Sequence, residues 1–135
     1  MINFFKYHFL FIAWLLIIFI QSNFPAIELP KVEVISADKV IHMGVFALLT
    51  ALCYISLIHI EKQNMFSAKP LMWSFIICVL YGASDEIHQY FVPNRSAEAG
   101  DWIADVLGVI IAVLLIKYFL QNKYLLFKRE LVNES

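Results

Sequence analysis

The chain has 135 residues, 61% of them hydrophobic and only 16% charged, with a formal net charge of −1 at pH 7. This composition is outside the usual range of soluble domains and indicates a membrane protein. The near-zero charge gives no basic surface for nucleic acid, so a nucleic-acid partner is excluded. Cys53 and Cys78 fall in apolar runs and are predicted to be small buried residues, not a disulfide or a metal pair.

Four apolar runs are each long enough to cross a bilayer, which takes roughly 20 residues. They predict transmembrane helices at 7–24, 38–60, 70–91 and 101–120. The fold class is therefore all-α, an integral membrane bundle of four transmembrane helices that forms a single domain over 1–135. The first run could instead be a signal peptide, but no small-residue cleavage site follows it, which favours a retained helix.

The loops between the runs carry recognisable helix signals. Pro25 and Pro30 predict an extended first loop. Ser36 or Asp38 can cap the second helix, and Pro70 suits the first turn of the third. Residues 61–69 and 92–100 are predicted to be loops, and the polar tail from Gln121 is predicted to follow the last span.

Basic residues flank the runs unequally, which predicts the orientation of the chain. One side carries Lys6, Lys62, Lys69, Lys117, Lys123, Lys128 and Arg129, and the other carries Lys31, Lys39 and Arg95. Both termini are therefore predicted to be cytoplasmic, with the loop at 92–100 on the outer side.

Residues 81–108, YGASDEIHQYFVPNRSAEAGDWIADVLG, hold an unusual concentration of ionisable groups. A hydrophilic loop explains only its middle, because Asp85, Glu86 and Gln89 lie inside an apolar run. Carboxylates within a membrane span are costly and mark functional sites. At helical spacing, Glu86 and Gln89 share a face with Asp85 beside it, and Asp38 and His42 share a face of the second helix.

The fourth helix carries a stripe of Asp101, Asp105, Gly108 and Ala112. The last two form a small-xxx-small pattern, which lets helices approach closely. All three polar faces lie at the same predicted end of their helices, so the simplest bundle turns them toward one pocket.

Structural interpretations compete with functional ones at these positions. Asp38 and Asp101 could only cap helices and complement helix dipoles. Glu86 could form an ion pair with Arg95 or Lys39 that holds loops together. His42 could simply form a hydrogen bond within the bundle.

The motifs resemble, in order and spacing, those of the VanZ-like family of small multi-helix bacterial membrane proteins: Asp38-Lys39-x-x-His42, Glu86-x-x-Gln89, Pro93-x-Arg95 and Asp101-x-x-x-Asp105-x-x-Gly108. The similarity runs from about residue 38 to residue 112. One departure is Asp105, where many relatives carry Asn. The resemblance implies a multi-pass protein of the bacterial cytoplasmic (inner) membrane with a link to the cell envelope. The family is named after a protein linked to resistance to the glycopeptide teicoplanin, and the resemblance supplies no reaction.

One interpretation is a membrane-embedded enzyme that acts on a membrane lipid or a lipid-linked cell-wall precursor. Its predicted catalytic residues are Glu86, His42 and Asp101; its substrate-binding residues are Lys39, Gln89 and Arg95; its supporting residues are Asp38, Asp85, Asp105 and Gly108. Glu86 would be the general acid or base, with His42 as its partner. The carboxylates would also suit a divalent cation as cofactor, and His42 extends the choice to Zn²⁺.

A second interpretation is a non-catalytic membrane binding or scaffold protein, in which Glu86 is a fixed ion-pair partner. A small transporter is a third, which the sequence favours less because no polar residues continue through the other half of the spans.

Overall fold

The computed structural model describes residues 2–24, 37–61, 64–93, 95 and 97–133, with side chains described between residues 5 and 123. These residues form helices only, which confirms the all-α prediction. In chain order they are α1 (Ile2–Tyr7), α2 (Phe9–Ser22), α3 (Ala37–Ile58), α4 (Met65–Ala68), α5 (Pro70–Tyr90) and α6 (Ala99–Asn133).

Several element boundaries differ from the predicted ones. The first predicted helix, 7–24, is divided at His8, which lies between α1 and α2. The His8 ring forms a hydrogen bond with Ser56 Oγ at 2.7 Å, near the C-terminal end of α3. The predicted loop at 61–69 contains the one-turn helix α4, because the Asn64 side chain accepts hydrogen bonds from two backbone N–H groups of that turn. The predicted loop with Pro25 and Pro30, and the capping role of Ser36, lie outside the described residues.

Two of the described helices are long and apolar enough to cross a membrane, Ala37–Ile58 and Ala99–Lys123. The helix Phe9–Ser22 is apolar but shorter. Large apolar side chains are exposed along these helices, as expected for surfaces that face lipid; they include Leu16, Ile20, Ile41, Leu48, Ile55, Ile111, Leu114 and Leu115.

The centre of the molecule lies where α3, α5 and α6 pack together. Its core contains Phe46, Leu49, Cys53, Cys78 and Val109, each no more than 1% exposed. Both cysteines are free and buried, as predicted from the sequence.

Gly108 of α6 lies directly against the backbone of α3. A Cβ at this position would collide with the backbone carbonyl of Met43 and lie 2.9 Å from its Cα. The prediction that a small residue of the fourth helix permits close packing is thereby confirmed for Gly108. Helix α2 packs outside this three-helix core, where Trp14 Nε1 donates to the Val45 carbonyl at 3.1 Å and Tyr81 donates its hydroxyl to the Leu15 carbonyl at 2.7 Å.

Candidate functional site

Three side chains from three helices meet near one end of the bundle: His42 of α3, Glu86 of α5 and Asp105 of α6. One nitrogen or carboxylate oxygen of each lies within 4.8 Å of those of the other two. We call these three residues the inner cluster. They lie roughly 6–9 Å along their helices from the nearest helix ends, at 1.5 Å per residue. They meet because the N-terminal ends of α3 and α6 lie beside the C-terminal end of α5.

The inner cluster is only partly satisfied by hydrogen bonds. His42 Nδ1 lies 2.9 Å from Asp105 Oδ1, and the Glu98 backbone N–H donates to Glu86 Oε2 at 3.0 Å. The other carboxylate oxygens, Glu86 Oε1 and Asp105 Oδ2, are buried and have no hydrogen-bond partner among the described residues. Glu86 is 8% exposed and Asp105 is 1% exposed, so solvent reaches neither carboxylate freely. A buried unpartnered acceptor is costly, and such a group calls for a specific explanation.

A second layer of charges lies between the inner cluster and the helix ends. Lys39 Nζ binds the Asp101 carboxylate directly, and it lies 3.3 Å from Glu98 Oε2 and 3.9 Å from Asp38 Oδ2. We call these four residues the rim. Asp101 is buried, whereas the Asp38 side chain is 49% exposed. The Lys39 ammonium is the only cation in this layer of the described residues, and three carboxylates surround it.

A buried aromatic ring lies beside the inner cluster. A Cβ added to Gly82 would lie 3.2 Å from the Phe46 ring and 3.3 Å from Asp105 Oδ2. Glycine at this position therefore lets the ring and the carboxylate approach the α5 backbone together. Phe46 is 1% exposed, so a core residue borders the Asp105 carboxylate here.

Asp85 and Gln89 form a separate buried network with α2. Ser22 donates its hydroxyl to Asp85 Oδ1 at 2.5 Å, and Gln89 Nε2 donates to Asp85 Oδ2 at 2.8 Å. The sequence correctly placed Gln89 on the inward side of α5, but its partner is Asp85 and not Glu86. Ser22 was not among the predicted residues. Its position in the polar triplet Gln21-Ser22-Asn23, at the end of an apolar run, is the only signal that could have pointed to it.

Arg95 does not contact the inner cluster in this structure. Its Nε donates to the Phe24 carbonyl at 2.8 Å and its Nη2 to the Gln21 carbonyl at 3.3 Å, at the C-terminal end of α2. The guanidinium thus adds hydrogen bonds to backbone carbonyls where the helix ends; the Gln21 carbonyl also accepts from the Phe24 N–H at 3.1 Å. A substrate-binding role for Arg95 stays a prediction, and the observed contacts are structural.

Replacing Arg95 with alanine is expected to lower the free energy of unfolding by about 1–2 kcal/mol, because two hydrogen bonds from a charged donor are lost at a partly exposed site. Thermal unfolding of the detergent-purified protein measures this. Lys117→Ala, which removes an exposed cation from α6, is the control and should change stability by less than about 0.5 kcal/mol. Equal stability of the two variants would show that Arg95 does not hold α2.

The structure therefore distributes eight of the ten predicted site residues over three groups, and Arg95 and Gly108 lie outside them. The inner cluster holds His42, Glu86 and Asp105; the rim holds Asp38, Lys39 and Asp101 with Glu98; and the network beneath α2 holds Asp85 and Gln89. The inner cluster and the rim together contain five carboxylates and one ammonium. Such a site can transfer protons between carboxylate and imidazole, and its donor atoms suit a divalent cation.

Comparison with known families places this arrangement in a wider context. A family model described as VanZ/LLP1 matches residues 5–121. Searches of curated proteins and of solved structures find no significant match. The matched segment includes α2, α3 and α5, most of the described part of α6, and every residue of the inner cluster and the rim. We conclude that this chain belongs to the VanZ/LLP1 family.

Proposed function

We propose that this protein is a multi-pass protein of the bacterial cytoplasmic membrane that binds and chemically modifies a cell-envelope lipid or a lipid-linked peptidoglycan precursor. Its four apolar segments span the bilayer, both termini are cytoplasmic, and the rim faces the outer side. The observation that carries this proposal is the inner cluster, where a carboxylate, an imidazole and a second carboxylate converge beneath charged groups at one end of the helices.

Glu86 is the proposed general acid or base. Its Oε2 is held by the Glu98 backbone N–H at 3.0 Å, which leaves Oε1 for a reacting group. His42, with its Nδ1 2.9 Å from Asp105 Oδ1, is oriented to exchange a proton with a group bound between the cluster and the rim. Buried side chains in fixed positions keep such groups oriented, which general acid–base catalysis requires.

A head group would enter from the rim, because the Asp38 and Glu98 side chains are exposed there, whereas Phe46 is buried. The acyl or isoprenoid part of a lipid would remain in the bilayer, against apolar side chains that are exposed close to the site. Ile87 and Tyr90 of α5 and Ile103 of α6 are such residues. Modification of an envelope precursor is also the route by which this protein would alter glycopeptide susceptibility.

The proposal is tested by lipid mass spectrometry on the full-length protein. The wild type, Glu86→Gln and Glu61→Gln are each incubated with a bacterial envelope lipid extract. Wild type and Glu61→Gln are expected to convert the same lipid, and Glu86→Gln is expected to convert it at least about 100-fold more slowly, as for loss of a general acid or base. Glu61 is the matched control because it is exposed just after α3, at the other end of that helix from the rim.

Each alternative outcome has a definite meaning. Conversion by Glu86→Gln at the wild-type rate would remove Glu86 from the mechanism. A lipid that co-purifies with all three proteins without a change in mass would establish binding and contradict modification. If no lipid changes and none co-purifies with the wild type, both parts of the proposed function are wrong.

A further inference from the structure

We propose that His42, Glu86 and Asp105 bind one divalent transition-metal ion, Zn²⁺ or Mn²⁺, and that this ion is the missing partner of the two buried carboxylate oxygens. The inference rests on the proposed function for the location of the site, and its test uses no lipid. With the ion bound, Glu86 Oε1 would be a ligand, so the proton transfer proposed for Glu86 would pass to a water molecule held by the ion.

The first observation is the set of unpartnered atoms. Glu86 Oε1 and Asp105 Oδ2 belong to side chains that are more than nine-tenths buried, and neither finds a donor among the described residues. A proton shared between the two carboxyl groups would bring them into hydrogen-bond contact, which is absent between these described side chains. A cation coordinated by both carboxylates would satisfy them without such contact.

The second observation is the spacing of the donor atoms. One donor atom from each residue lies within 4.8 Å of the others, and His42 Nδ1 lies 2.9 Å from Asp105 Oδ1, the second oxygen of that carboxylate. Ligand atoms lie about 2.0–2.2 Å from Zn²⁺, so two ligands of one ion are roughly 3–3.5 Å apart. The three side chains are therefore close enough to reach one ion with small side-chain adjustments. Three protein ligands would leave a coordination position open for water or a substrate oxygen, as in catalytic sites.

The third observation is the balance of charge around the site. Five carboxylates and one ammonium would repel the phosphate of a lipid head group. A dication bound in the inner cluster would offset two of those negative charges and give a phosphate oxygen a direct ligand position. An acidic pocket and an anionic substrate thereby become compatible.

The chemistry of the donors selects the class of ion. Mg²⁺ prefers an all-oxygen octahedral shell with several waters, whereas an imidazole together with carboxylates suits Zn²⁺ or Mn²⁺. His42 Nε2 lies 3.9 Å from Asp38 Oδ1, so when Nδ1 binds the ion the other ring nitrogen faces a carboxylate. A carboxylate in that position orients a metal-binding imidazole.

A competing location shares one residue with the inner cluster. Asp38, His42 and Asp101 also bring their donor atoms within 4.8 Å. However, Asp101 is engaged by Lys39 and Asp38 is half exposed, so neither presents an unpartnered buried oxygen. The two locations are separated by substitution, because Glu86 belongs to one and Asp38 to the other.

The experiment measures metal binding to the full-length protein in detergent after removal of metal with a chelator. Equilibrium dialysis against Zn²⁺ and, separately, Mn²⁺ is expected to give about one bound ion per protomer that excess Mg²⁺ does not displace. Glu86→Gln and Asp105→Asn should each weaken binding by more than about 100-fold, since loss of a direct ligand exceeds the 10–100-fold effect of an outer partner. Asp38→Asn should change the dissociation constant less than that, and Glu61→Gln should leave it unchanged.

Melting curves keep the test valid if one variant folds poorly. Asp105→Asn retains an acceptor for His42 and nearly the same volume, so it should unfold cooperatively. Saturating Zn²⁺ should raise the melting temperature of the wild type and of Asp38→Asn, but not of Asp105→Asn.

Three outcomes would overturn the inference: no ion bound by the wild type, binding of Mg²⁺ or Ca²⁺ in preference to Zn²⁺ and Mn²⁺, or binding lost in Asp38→Asn and kept in Glu86→Gln. Lipid conversion that continues in excess chelator would contradict the metal while leaving the proposed function intact. A bound metal without any lipid conversion would support the metal site and contradict the proposed lipid modification.

Discussion

Gly108→Ala is expected to lower the free energy of unfolding by about 3 kcal/mol, the upper part of the range for overpacking a dense interior. The added methyl group would occupy the position of the Met43 carbonyl, and backbone cannot rotate away as a flexible side chain can. Either α3 and α6 separate along their contact or the new group remains strained. The loss exceeds the gain of about 1 kcal/mol that alanine normally brings to a helix interior.

Gly44→Ala is the matched control for this substitution. Gly44 lies within α3 as Gly108 lies within α6, but a Cβ at Gly44 would meet nothing within 4 Å. This variant should be as stable as the wild type or more stable by up to about 1 kcal/mol. Thermal unfolding of both variants in one detergent provides the comparison. If Gly108→Ala and Gly44→Ala behave alike, α3 and α6 are not in backbone contact in the folded protein.

The second large effect is expected at Asp85, which joins α2 to α5. Asp85→Ala removes the acceptor of both the Ser22 hydroxyl and the Gln89 amide. The hydroxyl can still donate to the Ile18 carbonyl at 2.9 Å, whereas the buried Gln89 amide loses its partner. A lost hydrogen bond to a charged group costs about 1.5–3 kcal/mol and an unpaired buried donor about 1–3 kcal/mol, so we expect a total loss of about 3 kcal/mol. Asp85→Asn should cost less, because an amide keeps one acceptor for Ser22 and the Gln89 amide can turn to present its oxygen.

A double-mutant cycle assigns this effect to the network. Ser22→Ala and Asp85→Ala, singly and together, should show a coupling energy of about 1 kcal/mol, as residues that share a hydrogen bond do. Ser84→Ala is the control, since Ser84 is exposed and its hydroxyl bonds to the Tyr81 carbonyl one turn earlier in its own helix. Additive effects of Ser22 and Asp85 would mean that the contact between α2 and α5 does not depend on this bond.

Helix positions in the core follow closely from apolar run lengths and proline. Helices α3 and α5 begin and end within two residues of the predicted bounds, because Pro70 and the polar residues around these runs mark where each helix changes environment. Helix α6 continues well past residue 120, where the predicted span ends. Hydropathy indicates where the apolar segment ends, but not where the helix ends. Residues with high helix propensity, such as Leu, Lys and Glu, continue the helix beyond the apolar segment.

The geometry of the site could be predicted only in part from the sequence. Helical spacing put Glu86 and Asp105 on inward faces, and the structure brings both beside His42. Gln89 and Asp85 are four residues apart in α5, a spacing at which side chains on a helix meet. Spacing does not specify which neighbouring helix a side chain meets, so the bond from Ser22 of α2 to Asp85 was not foreseen. The observed partners of Arg95 are backbone carbonyls, which every residue carries and which residue types therefore cannot reveal.

The contact at Gly108 lies close to the inner cluster as well as within the packing of α3 against α6. Met43 directly follows His42, and Gly108 lies one turn from Asp105, so backbone against backbone sets how far the imidazole is from the carboxylate. A backbone contact of this kind holds His42 and Asp105 in place, so a ligand bound between them would lose mainly its own conformational freedom. In the proposed reaction, a displacement of about 1 Å would reduce the rate about 100-fold, so Gly108 would affect catalysis without contacting the ligand.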